Sequence, residues 1–243
     1  MQQIISELHS DEKYYGEFGK QFISNSDIDT LINNPSGYGI PASETKDFLF
    51  GKAFHELVMI GETTHAEYVE ASNRNTKIYK EAVIKAEKPI LLLQKEYDQL
   101  MMCVDAVLAN EEAVELIKEG NPEYEVPNVG ELFPNKEGVL WKGKADIING
   151  DYIVDLKTTS AKLSKFNSHA YQYNYDSQTF VYENLFKGKK MVFLVVEKDS
   201  ATVGKFDVSA KSYGYGLDKA FSAQENYIKY VLGEEKFMYR GTI

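Results

Sequence analysis

The stretch Gly143-Lys144-Ala145-Asp146-Ile147-Ile148, followed by Tyr152-Ile153-Val154-Asp155-Leu156-Lys157-Thr158-Thr159, decides how this chain folds. Each half is an apolar, β-branched run interrupted by charge, and Asn149-Gly150-Asp151 between them is turn chemistry. The pattern predicts an antiparallel hairpin. Alternation puts Asp155 and Lys157 on one face, and the hairpin brings Asp146 close to them. Two carboxylates converging on a strand end repel each other unless a cation sits between them. Hard oxygen ligands of this kind suit Mg²⁺ or Mn²⁺. The lysine can stabilise charge developing on a phosphate or orient an attacking water, so the set is equipped for metal-assisted phosphodiester hydrolysis. An Asp-x-Lys by itself reads most simply as solvated charge at a hairpin end. Asp146 on the neighbouring strand and the apolar lead-in Tyr152-Ile153-Val154 argue for a central strand instead.

Working outward, Val126–Phe133 and Gly138–Ile148 are predicted as the strands before Tyr152–Lys157, with Pro134-Asn135-Lys136-Glu137-Gly138 as the turn between the first two. Two successive tight connections imply an antiparallel meander. A helix is predicted over Asn167–Phe186, a buried strand over Met191–Glu197, a partner strand over Thr202–Val208, and a last helix over Tyr213–Leu232. Before the meander the period is helical. Ser26-Asp27-Ile28-Asp29-Thr30-Leu31-Ile32 reads as a short helix capped by Ser26, and Asn33–Pro41 as a loop. Glu44–Ile60 and Leu92–Lys118 read as longer helices, the second breaking at the cap Asn110. The expected architecture is α/β: a central mixed sheet of about five strands flanked by helices, with a helical region at the N-terminus. One domain over 1–243 is expected, with 1–120 mainly helical and 121–243 carrying the sheet.

Composition narrows the function classes. The chain has 243 residues and a formal charge of −10, from 27 basic and 37 acidic residues. That does not describe a DNA-coating protein, yet a nucleic-acid enzyme needs only local cations and a carboxylate cluster. Only Arg74 and Arg240 are arginine, so contacts to DNA should be mostly to the backbone. No apolar run approaches the roughly 18–20 residues of a membrane span. The N-terminus lacks a basic region and a cleavage site, so a cytoplasmic protein is expected. Cys103 is the single cysteine, which excludes an internal disulfide framework and a four-cysteine iron–sulfur cluster.

Three further groups are candidates for the same site. His55, one turn after Gly51, sits among Ala53, Phe54, Leu57 and Val58, where a neutral imidazole can reach a metal. Gly51 inside a helix suggests close approach of another group. Gln178 and Tyr182 form an i, i+4 pair on the helix after the meander, on roughly one face with Tyr171 and Tyr175; glutamine there can hold the lysine, a water or a phosphate. An acid is also sought on the first strand. Glu131 is the candidate and Glu125 the reserve, although a simple register puts Glu131 opposite Trp141 rather than on the Asp146 face.

Taken in order, these pieces resemble the PD-(D/E)xK nuclease superfamily, in particular its RecE-like, exodeoxyribonuclease VIII-type phage branch. The resemblance covers Ile23-Ser24-Asn25-Ser26-Asp27-Ile28, Asn34-Pro35, Gly51-Lys52-Ala53-Phe54-His55-Glu56-Leu57-Val58, Lys142-Gly143-Lys144-Ala145-Asp146, Ile153-Val154-Asp155-Leu156-Lys157-Thr158-Thr159, Tyr175-x-x-Gln178-x-x-x-Tyr182 and Phe193-Leu194-Val195-Val196-Glu197-Lys198. It implies a restriction-endonuclease-like core. His55, Asp146, Asp155 and the Leu156 carbonyl would bind one or two Mg²⁺ ions, with Mn²⁺ as substitute, and Lys157 would be the catalytic lysine. Gln178 and Tyr182 would line the site; Ser26 would help hold a terminal 5′-phosphate, with Thr158 and Thr159 as phosphate contacts. Asp155 stands where glutamate is commoner, and the family's Arg/Lys-rich elements are represented by lysines alone. The implied activity is Mg²⁺-dependent exonucleolytic digestion of duplex DNA ends, 5′→3′, leaving single strands for recombination or repair. A ring-shaped homo-oligomer, a single-strand annealing partner and a phage origin, hence host cytoplasm, belong to the same implication. The competing readings are a single-strand or structure-selective nuclease, a non-catalytic DNA-end-binding module, and an acidic interaction protein.

Overall fold

The hairpin forms where its turn chemistry lies: Trp141–Asn149 and Tyr152–Thr159 are antiparallel strands joined at Gly150, whose φ of 52° is the left-handed conformation that glycine adopts without penalty. In this computed structural model, which describes residues 1–40, 44–134 and 138–239, the sheet built on that hairpin has five strands in sequence order. Two short strands, β1 (Ala66–Val69) and β2 (Ile90–Leu93), pair in parallel apart from it. The main sheet comprises β3 (Glu123–Gly130), β4 (Trp141–Asn149), β5 (Tyr152–Thr159), β6 (Lys190–Glu197) and β7 (Val203–Asp207). β5 and β6 are parallel and every other neighbouring pair is antiparallel, so the sheet is mixed as expected.

The described helices are α1 (Gln2–Leu8), α2 (Asp11–Tyr15), α3 (Ile28–Asn33), α4 (Lys46–Ile60), α5 (Lys77–Lys85), α6 (Gln94–Leu108), α7 (Glu111–Ile117), α8 (Phe166–Gln172), α9 (Tyr175–Leu185) and α10 (Ala210–Asn226). They cover both faces of the sheet. On one face α4, α6 and α7 bury Phe54, Leu100 and Ile117 against Ile147, Val154 and Leu156. On the other, α3, α9 and α10 bury Leu31, Val181 and Ala220 against Trp141, Ile153 and Val195. Asn110 caps α7 by accepting from the Ala113 N–H at 2.9 Å, the break expected from the sequence. Among the described residues no helix is long and apolar enough to cross a membrane.

Several expectations need correction. The helix expected over Asn167–Phe186 is two helices, because Asn174 takes φ 60° between α8 and α9, a conformation asparagine tolerates well. The cap near residue 26 is Ser24, not Ser26: the Asp27 carboxylate accepts from both the N–H and the hydroxyl of Ser24, at 2.8 and 2.6 Å. Gly51 admits no close approach, since a Cβ there would meet nothing within 4 Å. The last helix starts earlier than expected and ends in a π-helical segment, Tyr227–Leu232. The proposed turn at Pro134–Gly138 and the loop at Asn33–Pro41 lie partly outside the described residues.

Candidate active site

β4 pairs with β5 only through Ile147↔Val154, Ile148↔Ile153 and Asn149↔Tyr152. From Asp146 towards Trp141 it leaves β5 and continues beside β3, with the Ile23 segment bridging its other side only at Trp141. The sheet therefore opens at Asp146, and groups from helices on its two faces can meet there.

They do. From α9, Gln178 Nε2 donates to Asp155 Oδ1 at 2.5 Å. From α4, His55 Nε2–H donates to the Leu156 carbonyl at 2.7 Å, and its Nδ1 lies 3.4 Å from Asp146 Oδ2. The same Asp146 oxygen accepts from the Leu156 N–H at 2.9 Å. Lys157 Nζ lies 2.5 Å from Asp155 Oδ2 and 5.0 Å from the centre of the Tyr175 ring. Asp155 is 2% exposed. Burial pushes its carboxyl up, against the pull of Lys157. Burial also works against the Lys157 charge, but Asp155 and Asp146 outweigh it and hold the ammonium above its ordinary value. Each group offsets part of the hydration the other has lost.

A third acid faces Asp146, and it is Glu125 rather than Glu131. Tyr124 pairs with Ile147 and Val126 with Ala145, which brackets Glu125 against Asp146. Glu125 is exposed, yet desolvation of its carboxyl first, and then Asp146, push it up to about 7. Glu125 has φ 51°, a strained backbone for a non-glycine residue. Alternation breaks at this point: Tyr124 and Ile147 join the core under α4, whereas Val126 and Ala145 join the core under α9. Glu131 follows the far end of β3, where Gly130 pairs with Trp141, roughly 20 Å along the strand at about 3.3 Å per residue. The register expected for Glu131 is thus off by one, and the residue is exposed.

Gln178 holds the carboxylate, not the lysine. Tyr182 acts one strand away: its hydroxyl donates to the Lys144 carbonyl at 3.0 Å and fixes the part of β4 that has left β5. Tyr171 is not in the Gln178–Tyr182 stripe, because the break at Asn174 separates them. Ser26 bonds to Ser24 at 2.8 Å, in a turn docked on the start of α9 through Asn25 and Ser177. Thr158 and Thr159 continue β5 beyond Lys157, and Thr159 Oγ1 accepts from the Ala161 N–H.

Sequence reasoning missed the lid of β4. Lys142 and Lys144 alternate with Asp146, and both ammonium groups lie over the Tyr14 ring of α2. Lys144 pairs with Asp11, and Lys142 donates to the Tyr14 carbonyl at 2.5 Å. Burial pulls Lys142 down to about 8. The period-two spacing of the two lysines with Asp146 was the available signal.

The donor set suits a divalent ion chemically. Asp155 Oδ2 is buried and, for all its closeness to Lys157, makes no aligned hydrogen bond. Asp146 adds to desolvation in pushing the Glu125 carboxyl up, and that repulsion is one a cation would relieve. Among the described residues no three His, Cys, Asp or Glu side chains already close into a cage. His55 and the Leu156 carbonyl satisfy each other.

No curated protein matches the chain. A solved structure from Eubacterium rectale, named "Putative exonuclease", superposes with a TM-score of 0.59 at 14% identity, covering 96% of each chain. At that identity the likeness speaks for the fold. A phage related exonuclease from Haemophilus somnus 129PT gives a TM-score of 0.36 at 12% identity over 85% of this chain and 93% of its own, too loose to carry argument. The profile described as PDDEXK-like domain of unknown function (DUF3799) matches residues 30–243, and with its five-stranded sheet opened at Asp146 and Asp155-x-Lys157 on the next strand, the chain belongs to that family.

Proposed function

We propose that this chain is a divalent-metal-dependent DNA nuclease that hydrolyses phosphodiester bonds, of the RecE-like exonuclease type. The observation that carries the reading is the meeting of Asp146, Asp155 and Lys157 where β4 leaves β5, with Gln178 locking Asp155. Asp146, Asp155, the Leu156 carbonyl and Glu125 would hold the ion, joined by His55 once its ring leaves Leu156. A bound Mg²⁺ or Mn²⁺ supplies charge neutralisation for attack by water on the phosphodiester.

The protein's own groups do the rest. Lys157 keeps its proton and presents a full positive charge where the phosphate gathers negative charge. Gln178 fixes the rotamer of Asp155, and Tyr182 fixes the backbone that carries Asp146. The duplex-end substrate, 5′→3′ direction and recombination role follow from the family resemblance, as do the phosphate contacts of Ser26, Thr158 and Thr159, the ring and the annealing partner.

The test is direct. Purified protein with Mg²⁺ should degrade linear duplex DNA, stop with chelator and spare covalently closed circles. Asp155→Ala and Lys157→Ala should abolish cleavage with the fold retained by circular dichroism. Cleavage at the wild-type rate by either variant overturns the site; cutting of closed circles moves the assignment to a structure-selective nuclease.

A further inference from the structure

From 156 to 175 the chain carries three lysines, a histidine and no acid, in a protein of net charge −10. The same stretch holds Tyr171, Tyr173 and Tyr175 at every second position. Tyr175 packs on Phe193 with ring centres 5.4 Å apart, and Lys157 sits over it. Beyond Tyr175 the rings climb out of the protein. Tyr173 is 6.2 Å from Tyr175 at 33°, and His169 is 6.0 Å from Tyr173 at 87°. Tyr173 is 58% exposed and Tyr171 57%, so these rings are held in water rather than in a core.

The fold puts them there on purpose-built supports. The left-handed Asn174 ends α8 and turns the backbone outward. Lys219 pins that break, donating to the Tyr171 carbonyl, Asn174 Oδ1 and Asp176 Oδ1 at 2.8–2.9 Å, and lies 4.0 Å from the Tyr171 ring. Asp176, the nearest following acid, is thereby neutralised. Glu197 is paired with Lys162 at 3.1 Å in the same way. What faces solvent is a row of aromatic planes flanked by lysine, continuous with the candidate catalytic lysine.

We infer that His169, Tyr173 and Tyr175 form a stacking path for an unpaired DNA strand, its bases against the rings and its backbone against Lys165. The inference rests on the nuclease reading and names the form in which that site takes its substrate: a strand parted from its complement at the duplex end. Every base has a π-face, so stacking of this kind is tolerant of sequence. It also accounts for a DNA-binding surface in a chain nearly without arginine.

The experiment uses the full chain in chelator, so that nothing is cut, and reads fluorescence anisotropy of a labelled oligothymidylate and of an abasic strand of equal length. Tyr173→Ala should weaken oligothymidylate binding roughly 5- to 150-fold, while Tyr173→Trp stays within about threefold of wild type. Wild type should prefer the base-bearing strand, and Tyr173→Ala should lose that preference. Lys165→Ala should weaken both strands alike and flatten the salt slope by about 0.7. Unchanged binding by Tyr173→Ala, or equal wild-type affinity for the two strands, overturns the stacking path. If wild type degrades DNA with Mg²⁺ and only these binding results fail, the nuclease reading stands without the path. If wild type neither binds nor cuts DNA, both fall.

Discussion

Replacing Lys157 with methionine and Asp155 with asparagine, singly and together, tests the account of the buried pair. The Asp155 side chain is 3% exposed and that of Lys157 21%. Lys157→Met leaves a carboxylate in the interior with Gln178 as its polar partner and Asp146 nearby, which should cost about 3 kcal/mol, at the low end for a broken buried pair. Asp155→Asn leaves the ammonium, which retains some water and keeps Asp146, and should cost about 1 kcal/mol. The double variant removes both charges and should lie within about 1 kcal/mol of wild type, giving a coupling of about 3 kcal/mol. In a chain of this size Lys157→Met should then melt roughly 6–12 °C below wild type. The pH dependence has a definite sign. A carboxyl raised above its ordinary 3.8 binds more protons folded than unfolded, so its contribution to stability falls as pH rises through that window. Lys157→Met should therefore be more destabilised at pH 8 than at pH 5. Urea unfolding in chelator at both values measures this, and the three variants should all be inactive. If Asp155→Asn proves the more destabilising single change, or the double variant loses the sum of the two, the pair is not the mutual solvation described here.

Three other outcomes follow from the structure. Glu96 is held at about 2: burial would raise it, but Arg74, Lys46 and the Leu93 N–H outweigh that. Its stabilisation is present above the ordinary 4.5 and lost as pH falls from there towards 2; with solvent screening it is worth about 1 kcal/mol, and Glu96→Gln should flatten acid unfolding over that range. Gly216→Ala would place a Cβ 2.2 Å from the Asp176 carbonyl oxygen, backbone against backbone, and should cost more than about 2 kcal/mol in thermal unfolding, whereas Gly51→Ala meets nothing and should gain about 0.5–1 kcal/mol. Equal effects at the two glycines would show the α9–α10 contact to be softer than drawn. Tyr182→Phe removes the bond to the Lys144 carbonyl; it should lose about 1 kcal/mol by unfolding and more activity than that loss explains, and full activity would deny Tyr182 a positioning role.

The sheet was legible because its signals are local and redundant. The Asn149-Gly150-Asp151 turn, the apolar run from Met191 and the cap at Asn110 each state their structure within a few residues. Asp155 and Lys157 were legible for the same reason, being two apart on one strand. Glu125 was not, because it reaches Asp146 through a positive φ that no period-two pattern anticipates. Asn174 hid the α8–α9 break inside a helical pattern, since it is one of three asparagines between 167 and 186 and nothing local singles it out for a left-handed turn. The small β1–β2 sheet and the α1–α2 cover went unread: segments of four to seven residues are set by what they pack on, as Leu8 and Tyr14 pack with Phe22 and Val129.

The site is also where the fold departs most from its own rules. An acid at φ 51° whose carboxyl is pushed up to about 7, a buried carboxyl and a lysine pulled down to about 8 all lie on β4 or on the strands beside it. Elsewhere the sheet is filled by Trp141, Ile147, Ile153 and Leu156, each fully buried and apolar. Continuing the β4–β5 ladder past Ile147 would have satisfied more backbone and exposed less charge. The strands part instead at the residue where the charges begin, and helices from both faces supply His55 and Gln178 to the gap. A fold selected for stability alone has no reason to break its central ladder there; a site built to gather an acid cluster and an ammonium does.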